Sequence, residues 1–241
     1  MPRYFIEVSY KGSSYSGFQK QHNANSVQAE VERALQVFYK TGFELTGSSR
    51  TDAGVHALQN YFHFDTDVPV KDDAYNLNAI LPADIVVKRI FRVDDNKHAR
   101  FDAVSRQYRY YIYRHKDPFL QGRAYYVPYP LDIDLLQQAA AEIMRHTDFT
   151  SFSKRNTQVK TFNCTILYSA WTQEGDCLVY TVKANRFLRG MVKGLVGTML
   201  LAGKKKISLS EFVSVIEARD CSKADFSVSP DGLFLVEVAF S

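Results

Sequence analysis

The stretch Gly47–Ala57, GSSRTDAGVHA, presents one acidic side chain among small and polar residues. Gly54 can adopt a positive φ and Ala53 leaves room for a close approach, so we expect a tight turn that exposes Asp52. A single carboxylate beside Arg50 suits a nucleophile, a general base or an electrostatic stabiliser. The alternative is a turn-forming Asp that bonds its own backbone. An aspartic protease is set aside, because the chain contains no D-[ST]-G sequence that could complete a dyad.

The residues around this loop predict helices and strands in succession. Apolar residues recur at helical spacing from Val27 to Phe38, which indicates a helix with Asn25 or Ser26 as its N-cap. Apolar and polar residues alternate over 3–10, which is typical of a strand. Further strands are predicted over 59–64, 85–93 and 108–113.

The second half of the chain repeats this arrangement. Asp132 or Asp134 can cap one helix, and Ser208 with Glu211 forms a capping box for another. The remaining predicted elements are a hairpin of 165–172 and 178–183 around the three-residue loop 174–176, a helix over 187–202, and a last strand over 233–240.

The order of these elements predicts the fold class. Strands do not alternate regularly with helices, which favours α+β over a doubly wound α/β fold. We expect two similar lobes, each an antiparallel sheet packed by helices, joined into one extended sheet. The N-terminal lobe, 1–105, would hold the aspartate loop, and the C-terminal lobe, 106–241, would hold the basic helix.

Composition indicates a soluble globular protein. The chain has 241 residues, 46% hydrophobic and 23% charged, and is long enough to bury a sizeable core. Its three cysteines are far apart and lack metal-type spacing, which favours a reducing compartment without disulfides or zinc. The N-terminus is not typical of a signal peptide, and the weakly polar stretch 195–203 is too short to span a bilayer. We therefore expect a cytoplasmic protein without a metal or a membrane partner.

The distribution of charge is more informative than the formal net charge of +4. Between Cys177 and Ser210 there is no acidic residue, and the bases there are Lys183, Arg186, Arg189, Lys193 and Lys204–Lys206. A second acid-free stretch, 103–116, interleaves cations with four tyrosines. Cations that neutralise phosphates and aromatic rings that stack on bases favour RNA binding, so we expect the C-terminal lobe, 106–241, to hold RNA-binding elements. A solvated basic face is the alternative for each stretch.

Several short segments together resemble one family. RTDAGVHA at 50–57 matches eight residues around the catalytic aspartate of TruA-type pseudouridine synthases. The resemblance continues along essentially the whole chain, through YSGFQ at 15–19, NAILP at 78–82, HARF at 98–101, YRY at 108–110, DFTSF at 148–152 and ANRFL at 184–188 followed by MVK at 191–193. A set of this length, in order and at family-like spacing, is far more specific than a lone glycine-rich loop.

The resemblance implies an isomerase that uses no cofactor. Such an enzyme breaks the bond from ribose C1′ to uracil N1, turns the base and rejoins it through C5. The implied substrates are uridines 38, 39 and 40 in the anticodon arm of tRNA. In a helical stem the target base must leave the stack, so the site should accept a flipped nucleotide. The family also implies a symmetric homodimer.

The resemblance assigns Asp52 to the ribose, where it either attacks C1′ or abstracts a ribose proton on a glycal route. Either route needs an ionised carboxylate, which a nearby cation favours. Lys193 stands where the family usually has Arg, and it can supply the charge but not the bidentate fork. On the predicted helix, Arg189 and Arg186 would lie one and two turns away on the same face and could contribute instead.

Four further residues are assigned through the resemblance. Tyr108 corresponds to the tyrosine that stacks on the target base and takes part in proton transfer at C5. Tyr111 and Tyr113 of the same strand are expected to be core residues, since tyrosines favour strands. Arg50 corresponds to the arginine that fills the space left by the flipped base. Phe18 and Gln19 lie in a loop that resembles an RNA-contacting segment, with Phe18 where many members have Trp.

Two other classes remain as alternatives. A non-catalytic RNA-binding module with ferredoxin-like lobes would suit the basic stretches, but the glycine and aromatic pattern of RNA-recognition motifs is absent. A phosphate-binding enzyme would use the glycines and lysines of Gly197–Lys205, but their spacing is one residue too long for a P-loop. His56 and His63 have no ligand-spaced partners, and we interpret both as structural.

Overall fold

The structure is a computed structural model that describes residues 1–241 except 72 and 156–158. Among the described residues, the strands are β1 (Arg3–Tyr10), β2 (Thr46–Gly47), β3 (His56–Asp65), β4 (Ile85–Val93), β5 (Ala103–Tyr113), β6 (Tyr125–Tyr126), β7 (Ile166–Glu174), β8 (Cys177–Ala184) and β9 (Leu233–Phe240). The helices are α1 (Val27–Tyr39), α2 (Ala74–Ile80), α3 (Ile133–Ile143), α4 (Met191–Gly203) and α5 (Leu209–Glu217). The predicted α+β class is confirmed.

The chain divides into two compact units. The first comprises residues 1–104 and 234–241, and the second comprises residues 105–233. The boundary at 104/105 lies one residue from the predicted one. The last strand differs from the expectation, since it was assigned to the C-terminal lobe and lies in the first unit. Its pairing explains this: β9 runs parallel to β3, with Phe234 opposite His56 and Leu235 opposite Ala57.

The first unit is built on the strands β4, β1, β3 and β9, with the short β2 also paired to β3. β1 is antiparallel to both of its neighbours, β3 and β4. The core of this unit includes Ile6 and Val8 from β1 and Phe62 and Phe64 from β3, all buried. α1 adds Leu35 to the buried set. Its N-cap is Ser26, whose hydroxyl accepts a hydrogen bond from the backbone of Ala29 at 3.3 Å.

The second unit contains β5, β8 and β7 in antiparallel order, with β6 parallel to β5. Tyr180 of β8 lies opposite Tyr110 on one side and Trp171 on the other, and all three side chains are buried. α3 packs on β7, where the Gln137 amide donates to Trp171 O at 2.7 Å and accepts from Trp171 N at 2.9 Å. An antiparallel sheet covered by helices therefore forms the core of this unit.

Local sequence rules predicted many boundaries correctly. The strands over 3–10, 85–93 and 233–240 are confirmed to the residue. Asp132 is the N-cap of α3, and its carboxylate accepts from Leu135 N at 3.1 Å. The capping box of Ser208 and Glu211 is present at the start of α5. Each of these features depends on residues close together in the chain, which is why spacing alone revealed them.

Several elements differ from the predictions. β5 begins at Ala103 rather than at residue 108. The hairpin turn has two residues rather than three, because Glu174 pairs with Cys177 and Gly175 turns the chain at φ +55°. α2 was not predicted; it is short and buries only one of its side chains, Leu77, so its apolar period is weak. α4 begins at Met191 rather than at residue 187.

Within the described part of the chain, no helix is long and apolar enough to cross a membrane. The same residues contain no group of three or more His, Cys, Asp or Glu side chains that could hold a metal ion.

Candidate active site

The aspartate loop of the first unit joins β2 to β3. Gly54 has φ +79°, as its place in the sequence predicted, and Val55 N donates to Asp52 O at 3.2 Å to close the turn. A left-handed residue at this point suits glycine, because a Cβ atom would be strained there. Asp52 itself is half-buried. The loop thus presents the carboxylate on a tight turn directly before β3.

A second segment of the same unit is hydrogen-bonded to this turn. Phe18 N donates to Thr51 O at 3.1 Å, so the YSGFQ segment is bonded to the residue before Asp52. Gly17 has φ +114°, and a Cβ atom there would lie 3.2 Å from Thr51 O. The glycine therefore permits both the backbone conformation and the close approach of the two segments.

A buried polar network holds the residues that precede Asp52. The hydroxyls of Tyr10 and Thr51 lie 2.8 Å apart, and Asn60 Nδ2 donates to Tyr10 Oη at 3.1 Å. The same amide nitrogen donates to Ser49 O at 3.0 Å, while Asn60 Oδ1 accepts from the Ser48 hydroxyl at 3.0 Å. All five side chains are buried. A buried network with its members hydrogen-bonded makes a segment rigid, so the loop is fixed before any substrate arrives.

The far side of the turn is held by His56. Its Nδ1 accepts from Gly12 N at 3.0 Å, and its ring packs against Phe234 with centroids 4.6 Å apart. A Cβ atom on Gly12 would lie 2.1 Å from Val55 O, so only glycine fits at this approach. These contacts agree with the structural role expected for His56 from the sequence.

The other predicted site residues of the first unit differ from one another in exposure. Arg50 and Gln19 are exposed and available to a ligand. Phe18 is 1% exposed, and its ring stacks on Phe62 with centroids 4.4 Å apart. Phe18 was expected to contact RNA. The structure instead makes it a core residue, because the backbone bond to the aspartate loop turns its ring inward beside Gly47, where a Cβ atom would meet the ring at 2.3 Å.

Tyr108 lies in the middle of β5 in the second unit, opposite Val182 of β8. It is half-buried, and its ring meets that of Phe187 edge-on, with centroids 4.9 Å apart. Tyr113 of the same strand is buried, as expected, and so is Tyr110, whereas Tyr111 is only half-buried. Phe187 was not among the predicted site residues, although its position next to Arg186 in the ANRFL segment was a signal that could have indicated it.

The ANRFL segment leads to α4 along a path fixed at both ends. Asn185 exchanges two hydrogen bonds with the backbone of Thr165, of 3.1 and 2.9 Å. At the other end Lys154 N donates to Arg189 O at 3.0 Å. Gly190, with φ +74°, lies against the Lys154 side chain, whose carbons would be 3.0–3.2 Å from a Cβ atom there. Lys154 thereby joins this basic segment, although the sequence analysis did not single it out.

The start of α4 corrects the predicted arrangement of the basic side chains. A residue in the left-handed region cannot continue a right-handed helix, so α4 begins after Gly190. Arg186 and Arg189 consequently lie in the segment before α4, and the helical face that they were expected to share with Lys193 does not exist. The prediction failed because Leu188 is buried like the apolar residues of α4. Its spacing from Met191 is also that of a helix, so the apolar pattern extends one turn beyond the helix itself.

Lys193 is in the first turn of α4 and is half-buried. It is the one charged residue in this helix, and its neighbours Val192 and Gly194 are buried. The N-terminus of a helix carries partial positive charge, so a lysine there adds to a local field that favours anions. A carboxylate or a phosphate is the kind of group that this end of α4 can bind.

The predicted residues are therefore distributed over both units. Asp52, Arg50, Gln19 and Phe18 belong to the first, and Tyr108, Arg186, Arg189 and Lys193 belong to the second. Within the first unit the structure adds Tyr10 and Asn60, which no sequence motif marked. Their roles depend on strand pairing, since both project from separate strands to the same buried network.

Comparison with known proteins gives a consistent result. A family profile described as tRNA pseudouridine synthase matches residues 6–102 and 139–241. The chain is 45% identical to "tRNA pseudouridine synthase A" of Parabacteroides distasonis, over 100% of this chain and 96% of that protein. It is 43% identical to the protein of that name from Bacteroides fragilis, over 99% and 96% of the two chains. The corresponding protein of Staphylococcus aureus strain MRSA252 is 36% identical, over 98% and 91%.

These matches, with the α+β fold, define the chain as an isomerase that acts on tRNA. It belongs to the tRNA pseudouridine synthase family, within the TruA type that its sequence resembles.

Proposed function

We propose that this protein converts uridine to pseudouridine in the anticodon arm of tRNA, at positions 38, 39 and 40, with Asp52 acting at the ribose. The observation that carries the proposal is the position of Asp52. It is half-buried on a closed turn that a buried hydrogen-bond network holds in place. A fixed carboxylate costs little reorganisation when it meets the reacting atom.

The reaction is an internal rearrangement in which no electrons are gained or lost. The bond from C1′ to N1 breaks, the uracil turns, and a bond forms from C1′ to C5. The proton on C5 then leaves to solvent and N1 takes up a proton, so that the product has the same composition as uridine. Asp52 can assist either by forming a transient bond to C1′ or by taking a ribose proton on the glycal route. Both routes use the same ionised carboxylate, so the geometry of the loop supports each equally.

Tyr108 and Phe187 are the residues that we propose hold the flipped uracil. Both side chains are half-buried, and their edge-on contact fixes the tyrosine ring. An aromatic ring that is held in place but partly exposed is a suitable surface for a flipped uracil. The phenolic oxygen of Tyr108 is the group that we propose for proton transfer at C5.

Charged and polar residues complete the proposed site. Lys193, at the positive end of α4, would orient the Asp52 carboxylate through its charge. Arg50, exposed beside the turn, would occupy the space that the flipped base leaves. Arg189 and Gln19 are also exposed, and we propose that they contact the RNA together with the half-buried Arg186.

Two broader expectations accompany the proposal. The family resemblance supports a homodimer that binds tRNA across both subunits, and light scattering should give the dimer mass at micromolar concentration. A fully active monomer would remove this part of the proposal. We also propose that the protein works in the cytoplasm, where its tRNA substrate is found, and without a metal, so that activity persists in excess chelator.

Tritium release from 5-tritiated uridine in tRNA tests the chemistry. The wild type should release tritium, and Asp52→Asn should lose release by roughly a thousandfold or more, because the amide keeps the shape but not the charge. The matched control is Asp67→Asn, which changes an exposed carboxylate and should retain full release. Release by Asp52→Asn above a few per cent of wild type would overturn the assignment of this residue.

The same experiment separates the proposal from its main alternative. If the protein were a non-catalytic RNA-binding module, the wild type would bind tRNA but release no tritium. The sites of modification are tested by mapping pseudouridine in tRNA from a strain that lacks the gene. Loss at positions 38, 39 and 40 is expected, and loss confined to other positions would contradict the proposed anticodon-arm specificity.

A further inference from the structure

A groove in the second unit lies at the C-terminal end of α4, away from Lys193 in its first turn. It has a volume of about 830 Å³ and is lined by two short segments, Tyr129–Asp132 and Gly203–Lys206. At 1.5 Å per residue, the ten residues from Lys193 to Gly203 extend roughly 15 Å along the helix. The groove is therefore separate from Lys193.

The charge on one wall of the groove is strongly positive. Lys204, Lys205 and Lys206 follow one another directly after α4. Lys205 is held at one side of the groove by an ion pair with Asp132, with Nζ 3.1 Å from Oδ2. Lys206 is exposed, and Lys204 lies beside Tyr129. A cluster of three lysines with one adjacent carboxylate suits a ligand with more than one negative charge, such as a run of phosphodiesters.

The backbone at Lys205 is in a conformation that glycine normally adopts. Its φ is +56°, and the chain closes α4 with hydrogen bonds from Lys205 N to Ala202 O at 2.7 Å and from Lys206 N to Leu201 O at 2.9 Å. Glycine is the usual residue at this position of a helix end, because a side chain there is unfavourable. These two bonds fix the backbone of the lysine segment at the end of α4.

The other lining segment, Tyr129–Asp132, contains an exposed aromatic ring. Tyr129 is 60% exposed, and Lys204 Nζ lies 5.3 Å from the centroid of its ring. A large ring left in solvent beside a cation is the combination on which unpaired bases stack in single-stranded RNA complexes. Tyr129 and Lys204 together can therefore contact a base and its phosphate at the same time.

The two walls are bonded to each other, so the groove is formed in advance. Asp132 N donates to Gly203 O at 2.8 Å. Gly203 is buried, and a Cβ atom there would lie 2.8 Å from Leu136 Cδ2. Asp132 also caps α3, so one residue fixes the ends of two helices and orients Lys205. A preformed site loses less entropy on binding than one that must be ordered.

We propose that this groove binds the tRNA away from the target nucleotide, with Lys204 and Lys206 on backbone phosphates and Tyr129 stacked on an unpaired base. The proposal rests on the tRNA substrate of the proposed function, but it does not depend on Asp52 as the catalytic group. The ligand is identified by its chemistry, namely consecutive phosphodiesters with an adjoining base.

A pair of matched double variants tests the charge. Lys204→Gln/Lys206→Gln removes two charges from the groove, and Lys71→Gln/Lys223→Gln removes two charges from exposed positions elsewhere. Affinity for a full-length tRNA transcript is measured by fluorescence anisotropy over a range of salt concentrations. The groove variant should bind about tenfold more weakly and show a slope of log K against log salt that is shallower by about 1–2. Equal effects of the two double variants would overturn the proposal.

A second pair tests the stacking. Tyr129→Ala should weaken binding roughly 5- to 100-fold, whereas Tyr129→Phe should retain affinity because the ring remains. Circular dichroism should confirm that both variants are folded, since the residue is mostly exposed. If Tyr129→Phe binds as weakly as Tyr129→Ala, or if neither differs from wild type, the ring is not a stacking surface and the proposal fails.

Measurements of tRNA affinity and of the rate at saturating tRNA test the groove and the catalytic role of Asp52 separately. The loss in the groove variants should fall on Kd and KM rather than on the rate at saturating tRNA. Asp52→Asn should behave in the opposite way, with turnover lost and affinity kept. A groove variant that loses turnover at saturation with unchanged affinity would overturn the groove assignment, whereas an active Asp52→Asn would overturn only the catalytic assignment.

Discussion

The hydroxyl of Tyr10 lies 2.8 Å from that of Thr51, the residue immediately before Asp52, although the two are 41 positions apart in the chain. Asn60 joins the pair from β3 by donating to the Tyr10 oxygen at 3.1 Å. The position of the proposed catalytic carboxylate is therefore set by a hydrogen bond across the core of the first unit. The turn at Asp52 alone would not hold Thr51, the residue before it, in a fixed position.

Tyr10→Phe should lower both stability and turnover. The change removes one hydroxyl and leaves the buried groups of Thr51 and Asn60 with one partner fewer, which costs about 1–3 kcal/mol. We expect kcat to fall about tenfold, because the residue before Asp52 is less firmly held. Tyr4→Phe, on the same strand, is the control for loss of a tyrosine hydroxyl. Equal kcat and equal urea midpoints for the two variants would contradict the role given to the network.

Phe18→Ala should act on folding rather than directly on RNA contact. Its ring is buried against Phe62, so truncation leaves a cavity and should lower the free energy of unfolding by about 3–5 kcal/mol. Gln19→Ala changes the exposed neighbour and should leave stability unchanged. Chemical denaturation of both variants measures the difference. A fully stable Phe18→Ala with weakened tRNA binding would restore the original expectation of an RNA contact.

Lys193→Ala should lower the rate at saturating tRNA by about 100-fold, because it removes the cation that we propose as the charge partner of Asp52. Lys193→Arg should retain most of the rate, since Arg carries the same charge. Arg189→Ala should act mainly on tRNA affinity, because Arg189 lies before α4 and is exposed. Single-turnover kinetics separate the two effects. If Arg189→Ala abolishes turnover while Lys193→Ala does not, the cation has been assigned to the wrong residue.

Stability should fall in mild acid because of His63. This side chain is 6% exposed, and burial, helped by the charges of His98 and Arg3, lowers its pKa to about 4. Its Nδ1 accepts from Ala99 N at 3.2 Å, so the neutral ring is the folded form. The unfolded chain, with an ordinary histidine pKa near 6.5, binds the proton first as pH falls. The stabilisation is thus complete above pH 6.5 and is lost towards pH 4, by about 2 kcal/mol between pH 7.5 and 5.

Urea unfolding at the two pH values measures this change. His98 contributes with the same sign, because burial also lowers its pKa. His63→Gln keeps an acceptor but does not titrate, so its stability should depend less steeply on pH over this interval. An unchanged slope in this variant would show that His63 is not the titrating group.

The sequence by itself determined the features that depend on neighbouring residues. Alternation defined β1, a serine and a glutamate three residues apart defined the start of α5, and the glycine after Ala53 defined the turn that presents Asp52. Local conformational preferences are sufficient for each, because the interacting groups are within a few positions of one another. The RTDAGVHA segment also indicated the family, since its length made the resemblance specific.

Only the tertiary structure decided which distant segments meet. The ring of Phe18 turns into the core because its backbone is bonded to Thr51, and β9 joins the first unit because it pairs with β3. The left-handed Gly190 separates Arg189 from α4, although the apolar spacing continues through it. In each case the outcome depends on hydrogen bonds or packing between residues far apart in the chain. Periodicity carries no information about such partners, because it reports only which side of one element is buried.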